Sequence, residues 1–458
     1  MRKLLTTLFA VLQAHAMPAL EMMLVFLIAA CDEAMVPEAP KLSQWVTGET
    51  RPSSDEPDAP SLIQEDSVRN AYEETGLPVC YITTADSADI TSRTAYVVAS
   101  MRIEALGQVV FEDSLLSIRG RGHASWTDSP KHPYRLKLSH KAELLGLTAN
   151  KHFALLSNYV DKSLMRAAIG FRIGELLECG WTPQSRFVEL VLNGKHQGCY
   201  QLTEAVKEGK DRICIDKTGF IAEYIYPDRV AEEQVYFQTM GSGYFFKFKY
   251  PDEKDMTDER LSYAANELNQ FERALNRPLK AHEYAEHVDV VSWAKWYYQQ
   301  QLMMLEEFNL YVVKYDDTSV SRLALGPLWD FDWSLGSGYY DGEERPNPNH
   351  HLVATQYFRR LSADSLFMAE VMRLHRKYGP RVREGVMRYY DELSGLLRKS
   401  QALNFERWPI LNERISIGAW PLGSWEREVA CDRQFFIDHY NYLDRLFASS
   451  LASFLDKQ

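Results

Sequence analysis

Between residues 77 and 118 the chain alternates short apolar runs with polar breaks: PVCYITT, AYVVASMRIEAL and QVVFEDSLLSI. These runs are rich in β-branched and aromatic residues and are separated by ADSAD and by Gly107, so they predict antiparallel strands. The YRLKL segment that starts at Tyr134 alternates with period two, which puts Tyr134, Leu136 and Leu138 on one face of a further strand. Over residues 164–177 the apolar spacing becomes helical, directly after Asp161 and Ser163, two residue types that cap helix N-termini. Residues 186–192, Asn193-Gly194 and residues 196–203 read as strand, turn and strand, because Asn-Gly supplies the positive φ angles of a two-residue hairpin. Residues 219–226 and 244–250 complete a strand-rich half. After Asp258 the texture is helical, over 261–274 and 288–307, with one more hairpin at 310–315 and 323–329. A polar loop, DGEERPNPNHH, then leads to amphipathic helices from residue 352 onward. The pattern predicts an α+β protein with a half rich in antiparallel sheet followed by a helical half.

The N-terminal segment has a different character. Arg2 and Lys3 precede two apolar runs, and the second, MMLVFLIAA, ends at Cys31. Nine apolar residues fall far short of the ~20 that span a bilayer. Ile28-Ala29-Ala30-Cys31 resembles the lipobox of bacterial lipoproteins, so the segment reads as an export signal with lipid attached to the Cys31 sulfur. The expected location is a membrane-anchored lipoprotein, periplasmic or at the cell surface. Residues 32–61 are dominated by Pro, Ser, Asp and Glu, which cannot bury enough surface to order themselves and read as a flexible tether. The resulting division is 1–31 signal, 32–65 tether, 66–118 β-rich segment, 119–340 core and 341–458 helical region.

Composition narrows the function. With 51 Lys plus Arg against 63 Asp plus Glu the net charge is −12, which disfavours nucleic acid as a partner. The 46% hydrophobic and 25% charged fractions are those of a globular protein, and the 12% aromatic fraction fits a large core. Setting Cys31 aside leaves Cys80, Cys179, Cys199, Cys214 and Cys431, with no CxxC pair, so a zinc cluster is not indicated. The odd remainder argues against a full disulfide framework. Cys199 and Cys214 could pair, but isolated buried thiols are the better reading.

Four segments carry candidate chemistry. Arg119-Gly120-Arg121-Gly122, between strands, combines glycines that allow close approach with guanidinium donors for phosphate oxygens, and Lys137 follows on the next strand. Asn158 to Ser163, with Arg166 one turn on, reads as a helix cap with an ion pair. Residues 198–204 end a strand at Glu204, an acid that could pair with Lys137. In Trp329-Asp330-Phe331-Asp332, two carboxylates at a strand end can hold a hard divalent cation. A glycine loop, a strand Lys, a paired acid and a late metal-binding Asp is the parts list of a protein kinase, although no HRD or DFG string is present.

The motifs SIRGRGHASW, PYRLKL, AELLGL, LLSNYVDKSLMRAAIGFRIGEL, TPQSRFVELVLNGKHQGCYQLTE, FKYP and GPLWDFDWSLG, in this order, resemble the spore coat protein H (CotH) kinase-like family, an atypical protein kinase group. The resemblance runs from about residue 77 to 336. It implies an atypical protein-kinase-like fold, binding of ATP and Mg²⁺, and phosphorylation of Ser or Thr on secreted or surface proteins. Carried onto this chain, Arg119 and Arg121 would border the nucleotide phosphates and Lys137 would be the strand Lys. Glu204 would be its partner, with Glu223 and Glu175 as rivals. Asp330 would hold the metal with Asp332 in support, while Asp161, Lys162 and Arg166 would brace the site.

The chain departs from the family at three places. His123 follows RGRG, and Ala167 follows Arg166, where the family commonly has Asn. The family's Asn-x-Asp pair ahead of the WDFD strand is replaced by residues 301–309, where Glu306 stands in for the Asp and becomes, with Asp332, a catalytic candidate. A Glu is one methylene longer, and a misplacement near 1 Å costs up to ~10²-fold in rate. The competing readings are a non-catalytic surface module for adhesion or assembly and, far behind, a carboxylate-pair glycosidase.

Overall fold

In the computed structural model, which describes residues 70–305, 308–337, 347–348, 355–415 and 420–455, seven strands close into a barrel. These are β1 (Val79–Thr84), β2 (Val97–Ala105), β3 (Gln108–Gly120), β4 (Tyr134–Leu144), β5 (Leu147–Leu156), β6 (Ser185–Leu192) and β7 (Lys195–Glu204). Their order is β1-β2-β3-β4-β5-β7-β6, antiparallel except where β6 returns parallel to β1 and closes the ring. Strand alternation fills the interior: Ile82, Met101, Ile118, Leu136, Phe153 and Leu202 are buried together inside the barrel. The β6–β7 hairpin turns on Asn193 (φ 49°) and Gly194 (φ 73°), as Asn-Gly requires. On β4, Tyr134, Leu136 and Leu138 point inward as their spacing predicts, which leaves Arg135 and Lys137 on the outer face.

A second sheet, ordered β12-β11-β8-β10-β9, is built from β8 (Phe220–Ile225), β9 (Tyr236–Gln238), β10 (Phe245–Tyr250), β11 (Tyr311–Lys314) and β12 (Ala324–Leu325). The helices are α1 (Ala124–Thr127), α2 (Arg166–Leu176), α3 (Asp258–Leu275), α4 (Val290–Met303), α5 (Gln356–Leu361), α6 (Ser365–Leu397), α7 (Ser400–Arg407) and α8 (Trp425–Leu455). α4 is buried over almost its whole length and packs against α2, α6 and α8. α7 docks on β7 through Asn404, whose Oδ1 accepts from Lys131 Nζ (2.8 Å) and from Cys199 N (3.2 Å). A Cβ at Gly198 would lie 2.6 Å from that oxygen, so only glycine permits the contact.

The α+β class therefore holds, with two adjustments. The division at 118/119 falls inside β3, and β1–β3 close one barrel with β4–β7, because a half-barrel would leave its apolar inner face exposed. All the described elements lie in one compact unit, Ser61–Gln458. Cys199 is buried, Cys214 is exposed, and both are free thiols, as are Cys80 and Cys179. The signal and tether, including Cys31, lie outside the described residues.

Two glycines in helices should respond oppositely to the same substitution. A Cβ at Gly170 in α2 would sit 2.4 Å from the Phe331 ring, which is itself enclosed. Gly170→Ala should cost about 1–3 kcal/mol through overpacking, against at most about 1 kcal/mol gained in helix propensity. Gly395 in α6 has nothing within 4 Å of the added atom, so Gly395→Ala should stabilise by about 0.5–1 kcal/mol. Urea midpoints of the two variants, on opposite sides of wild type, check this.

Candidate active site

The WDFD segment leaves β12 with alternating directions. Trp329 and Phe331 turn inward against Phe171 of α2, each with ring centroids 5.5 Å from it. That sends Asp330 and Asp332 the other way. Asp330 has φ 65°, an uncommon conformation for a residue with a side chain. The two carboxyls act on one another. Desolvation by the surrounding protein, then the Asp330 charge, then Asp161 push the Asp332 carboxyl up to about 7, against the pull of Arg166 and Arg121. Desolvation also raises Asp330, with Arg121 and Arg229 opposing and Glu223 adding to the rise. Among the described residues no group of three or more His, Cys, Asp or Glu side chains could hold a metal. Two carboxylates nonetheless suit a cation that completes its shell with water and phosphate oxygens, and such a cation would remove their mutual repulsion.

A concentration of guanidinium groups reaches this pair through Arg121. Arg121 lies 5.5 Å from the Trp329 ring centroid and forms no ion pair among the described residues. Arg119 donates to the carbonyls of Arg93 and Gly120 and stacks over Tyr96. Arg135, on the outer face of β4, has its Nε sealed from solvent with no hydrogen-bond partner. Burial pushes the Arg135 guanidinium down to about 10; Tyr96 opposes this, and the charges of Arg119, Arg121 and Arg212 add to it. A guanidinium with a sealed, unpartnered Nε beside three others is electrostatically unfavourable in the protein alone and well suited to a polyanion. The glycines of the loop have separate reasons. A Cβ at Gly120 would meet the Trp126 ring at 2.4 Å, and Gly122 has φ 83°.

Glu223 of β8 bears on Asp330, and its partner Lys249 feels the charge of Arg135. Glu223 pairs with Lys249 (2.8 Å) and Lys247 (3.5 Å) of β10 and accepts from the Tyr311 hydroxyl at 2.7 Å. Burial would raise this carboxyl, but Lys249 and Lys247 outweigh it and bring it down to about 2. Behind the acids, Arg166 grips Asp432 of α8 through Nε and Nη2, both at 3.0 Å, and its Nη1 donates to the Asp332 carbonyl at 3.1 Å. Asp161 accepts from Ser163 N, Ser163 Oγ and Arg166 N, so this segment braces the site as its sequence suggests.

The structure thus brings Arg121 within electrostatic reach of Asp330 and Asp332 and sets Arg119 beside Arg121 and Arg135, and it leaves two expected residues out of this group. Lys137 is exposed and forms no ion pair among the described residues. Glu204 is fully buried, its carboxylate accepting from Thr148 N (2.7 Å) and Gln184 N (3.2 Å), so it staples backbone rather than pairing with Lys137. Of its rivals, Glu175 pairs with Arg172 and Glu223 is the acid that holds lysines. Glu306 lies outside the described residues. Arg135, Lys247, Lys249 and Arg229 were not anticipated. Alternation alone made Arg135 as eligible as Lys137, and FFKFKY puts both of its lysines on one strand face. A cavity of about 330 Å³ between the loop after α2, α4 and the β11–β12 hairpin shares only Arg212 with these groups.

A family model described as CotH kinase protein matches residues 116–443, and the chain belongs to that family. No curated protein matches the chain.

The Asp332 carboxyl also sets a stability dependence on pH. Its folded value, about 7, lies above the unfolded value near 3.8, so the unfolded chain binds fewer protons between those limits. Stability should fall as pH rises from about 4 through 7. Asp332→Asn removes this contribution and leaves the smaller one of Asp432, which burial raises to about 6, so the variant should melt above wild type at pH 8 and level with it below pH 4. Thermal melts across pH 4–8 check this.

Proposed function

We propose that this CotH kinase family member is an exported, lipid-anchored protein kinase of atypical fold that transfers the terminal phosphoryl group of ATP to Ser or Thr hydroxyls of secreted or surface proteins. The observation that carries the reading is the meeting at Arg121 of a guanidinium cluster, whose Arg135 has a sealed and unpartnered Nε, with the mutually repelling Asp330 and Asp332 carboxylates. Bound Mg²⁺ would supply charge neutralisation between the carboxylates and the phosphate oxygens. Arg135 and Arg121 orient the phosphates, and Asp330 holds the metal side of the site. Asp332 takes the proton of the acceptor hydroxyl as its oxygen bonds to phosphorus and the nucleoside diphosphate departs. Glu306 is the other proton acceptor that the sequence offers. The barrel followed by a helical layer supports an atypical kinase arrangement, and Ile28 to Cys31 supports export with a lipid on Cys31. Among the described residues no helix is long and apolar enough to cross a membrane.

Incubation with radiolabelled ATP, Mg²⁺ and a Ser-rich protein tests the reading: wild type should transfer label, and Asp332→Asn should keep the Mg·ATP thermal shift while losing transfer. Wild type that binds nucleotide without transferring label would instead mark a non-catalytic module. Arg135→Met should weaken Mg·ATP binding by about tenfold to a hundredfold, the worth of a charge-assisted hydrogen bond, whereas Lys137→Met should leave it unchanged. Calorimetry on the two variants distinguishes the cations. Cys31→Ala should release the protein from the membrane fraction, and a variant that still sediments with membranes would count against lipidation.

A further inference from the structure

Beyond β8 the chain forms a short 3-10 helix, Pro227–Glu232, and the register of the second sheet fixes its place. β8 pairs antiparallel with β11 through Glu223 and Tyr311, and Tyr224 N donates to Leu310 O at 2.9 Å. Moving forward from Glu223 to Tyr226 is therefore moving backward from Tyr311 to Phe308, whose N donates to the Tyr226 hydroxyl at 2.9 Å. On the other side of β11, Gly326 N donates to Tyr311 O at 2.7 Å, and the chain leaves β12 toward Trp329 and Asp330. The 3-10 helix and Asp330 flank the same end of β11, one on each side.

Arg229 is the side chain that this placement delivers. Its guanidinium lies 4.8 Å from the Tyr226 ring centroid, and its Nε is sealed from solvent without a hydrogen-bond partner. It bears on the Asp330 carboxyl electrostatically, as Arg121 does, yet neither closes to an ion pair with it. A guanidinium that only rested on a tyrosine would keep its Nε hydrated; here the side chain is half-buried and its Nε is sealed and unanswered. The helix is also clasped to the glycine loop. Glu232 pairs with Arg93 at 3.2 Å and with His123 at 3.7 Å, and Arg93 Nη1 donates to Gly122 O at 3.1 Å.

We propose that Arg229 is a further catalytic residue, donating to the oxygens of the phosphoryl group in transfer. This rests on the nucleotide reading given above. As the bond from the acceptor oxygen to phosphorus forms and the bond to the nucleoside diphosphate breaks, the acceptor proton passes to Asp332. Arg229 keeps its own protons throughout and supplies charge and N–H donors where negative charge spreads over the transferring group. Arg135 and Arg121 hold the phosphates before and after transfer, whereas Arg229 acts most strongly between those states.

Binding of a transition-state mimic tests this without relying on turnover. Calorimetry on the full chain compares Mg·ADP with Mg·ADP plus aluminium fluoride, for wild type, Arg229→Ala and Arg229→Lys. Wild type should bind the fluoride complex at least about tenfold more tightly than Mg·ADP alone. Arg229→Ala should hold Mg·ADP within about twofold and lose the extra affinity, and Arg229→Lys should recover little of it, because an ammonium cannot offer the planar fork of donors. Equal weakening of both ligands, weakening of neither, or a wild type without the preference would overturn the role of Arg229. Wild type that bound neither ligand would overturn the nucleotide reading as well. Circular dichroism melts of both variants, expected to match wild type, separate these outcomes from unfolding.

Discussion

The buried guanidinium of Arg166 is the contact on which the site's geometry depends. It starts α2, and its backbone N donates to Asp161 at 2.8 Å. Its side chain grips Asp432 of α8 through two parallel bonds and donates to the Asp332 carbonyl. Elements more than 250 residues apart in sequence thus meet at one side chain that is 4% exposed. Pairs of this kind are weak sources of stability, because desolvating two charges offsets most of their attraction, and their better-attested use is to fix registry. Here the registry is that of the carboxylate turn against the helices. Phe331 against Gly170 adds a steric stop, so Asp330 and Asp332 have little freedom to turn inward.

Two kinds of charge perturbation meet at the site, and they carry different information. Glu223, drawn down to about 2 by Lys249 and Lys247, is a satisfied acid, and its environment is stabilising in the protein alone. Arg135 and Asp332 are shifted the other way: burial and like charges make each harder to ionise. A fold that keeps such groups gives up stability at those positions, which structural ion networks do not require. The unfavourable set, not the favourable one, marks where an anion and a cation are expected together. Glu223 bears on Asp330 while anchoring the lysines of β10 and Tyr311 of β11, and its partner Lys249 feels the charge of Arg135.

Much of this was legible in the residues. The period-two runs gave the barrel strands and Asn193-Gly194 gave the hairpin, whereas α2 starts two residues later than its spacing implies, with Met165 at the cap position and Asp161 accepting from Arg166 N. Barrel closure was not legible, since a parallel β1–β6 pair joins segments about a hundred residues apart and leaves no local trace. The pairing of Lys137 with Glu204 failed for a related reason. Alternation says which strand face a residue occupies but not how deep that face lies, and β4 passes from an enclosed position at Arg135 to an open one two residues later. Glu204 looked like an ion-pair acid because it ends a strand. Its burial against Thr148 and Gln184 depends on a neighbouring strand and a loop that only the fold brings together. Arg229 had no signal at all, because its significance comes from the register of β8 against β11.

The choice of cation has a consequence for how the site answers to pH. Arg135, even brought down to about 10, remains charged throughout the neutral range, and His152 beside it is held at about 3 by burial and by Arg135, Lys207 and Lys137, so it stays neutral. The anion-facing end therefore presents a nearly constant charge between pH 5 and 9. Asp332, at about 7, and Asp432 behind it on Arg166, at about 6, are the acids whose ionisation falls inside that window. A lysine in place of Arg135, desolvated to the same degree, would begin to lose its proton near neutrality and confound the two ends. With arginine there, phosphate affinity and proton transfer are governed by different residues, and the acid end alone can be tuned by what binds between Asp330 and Asp332.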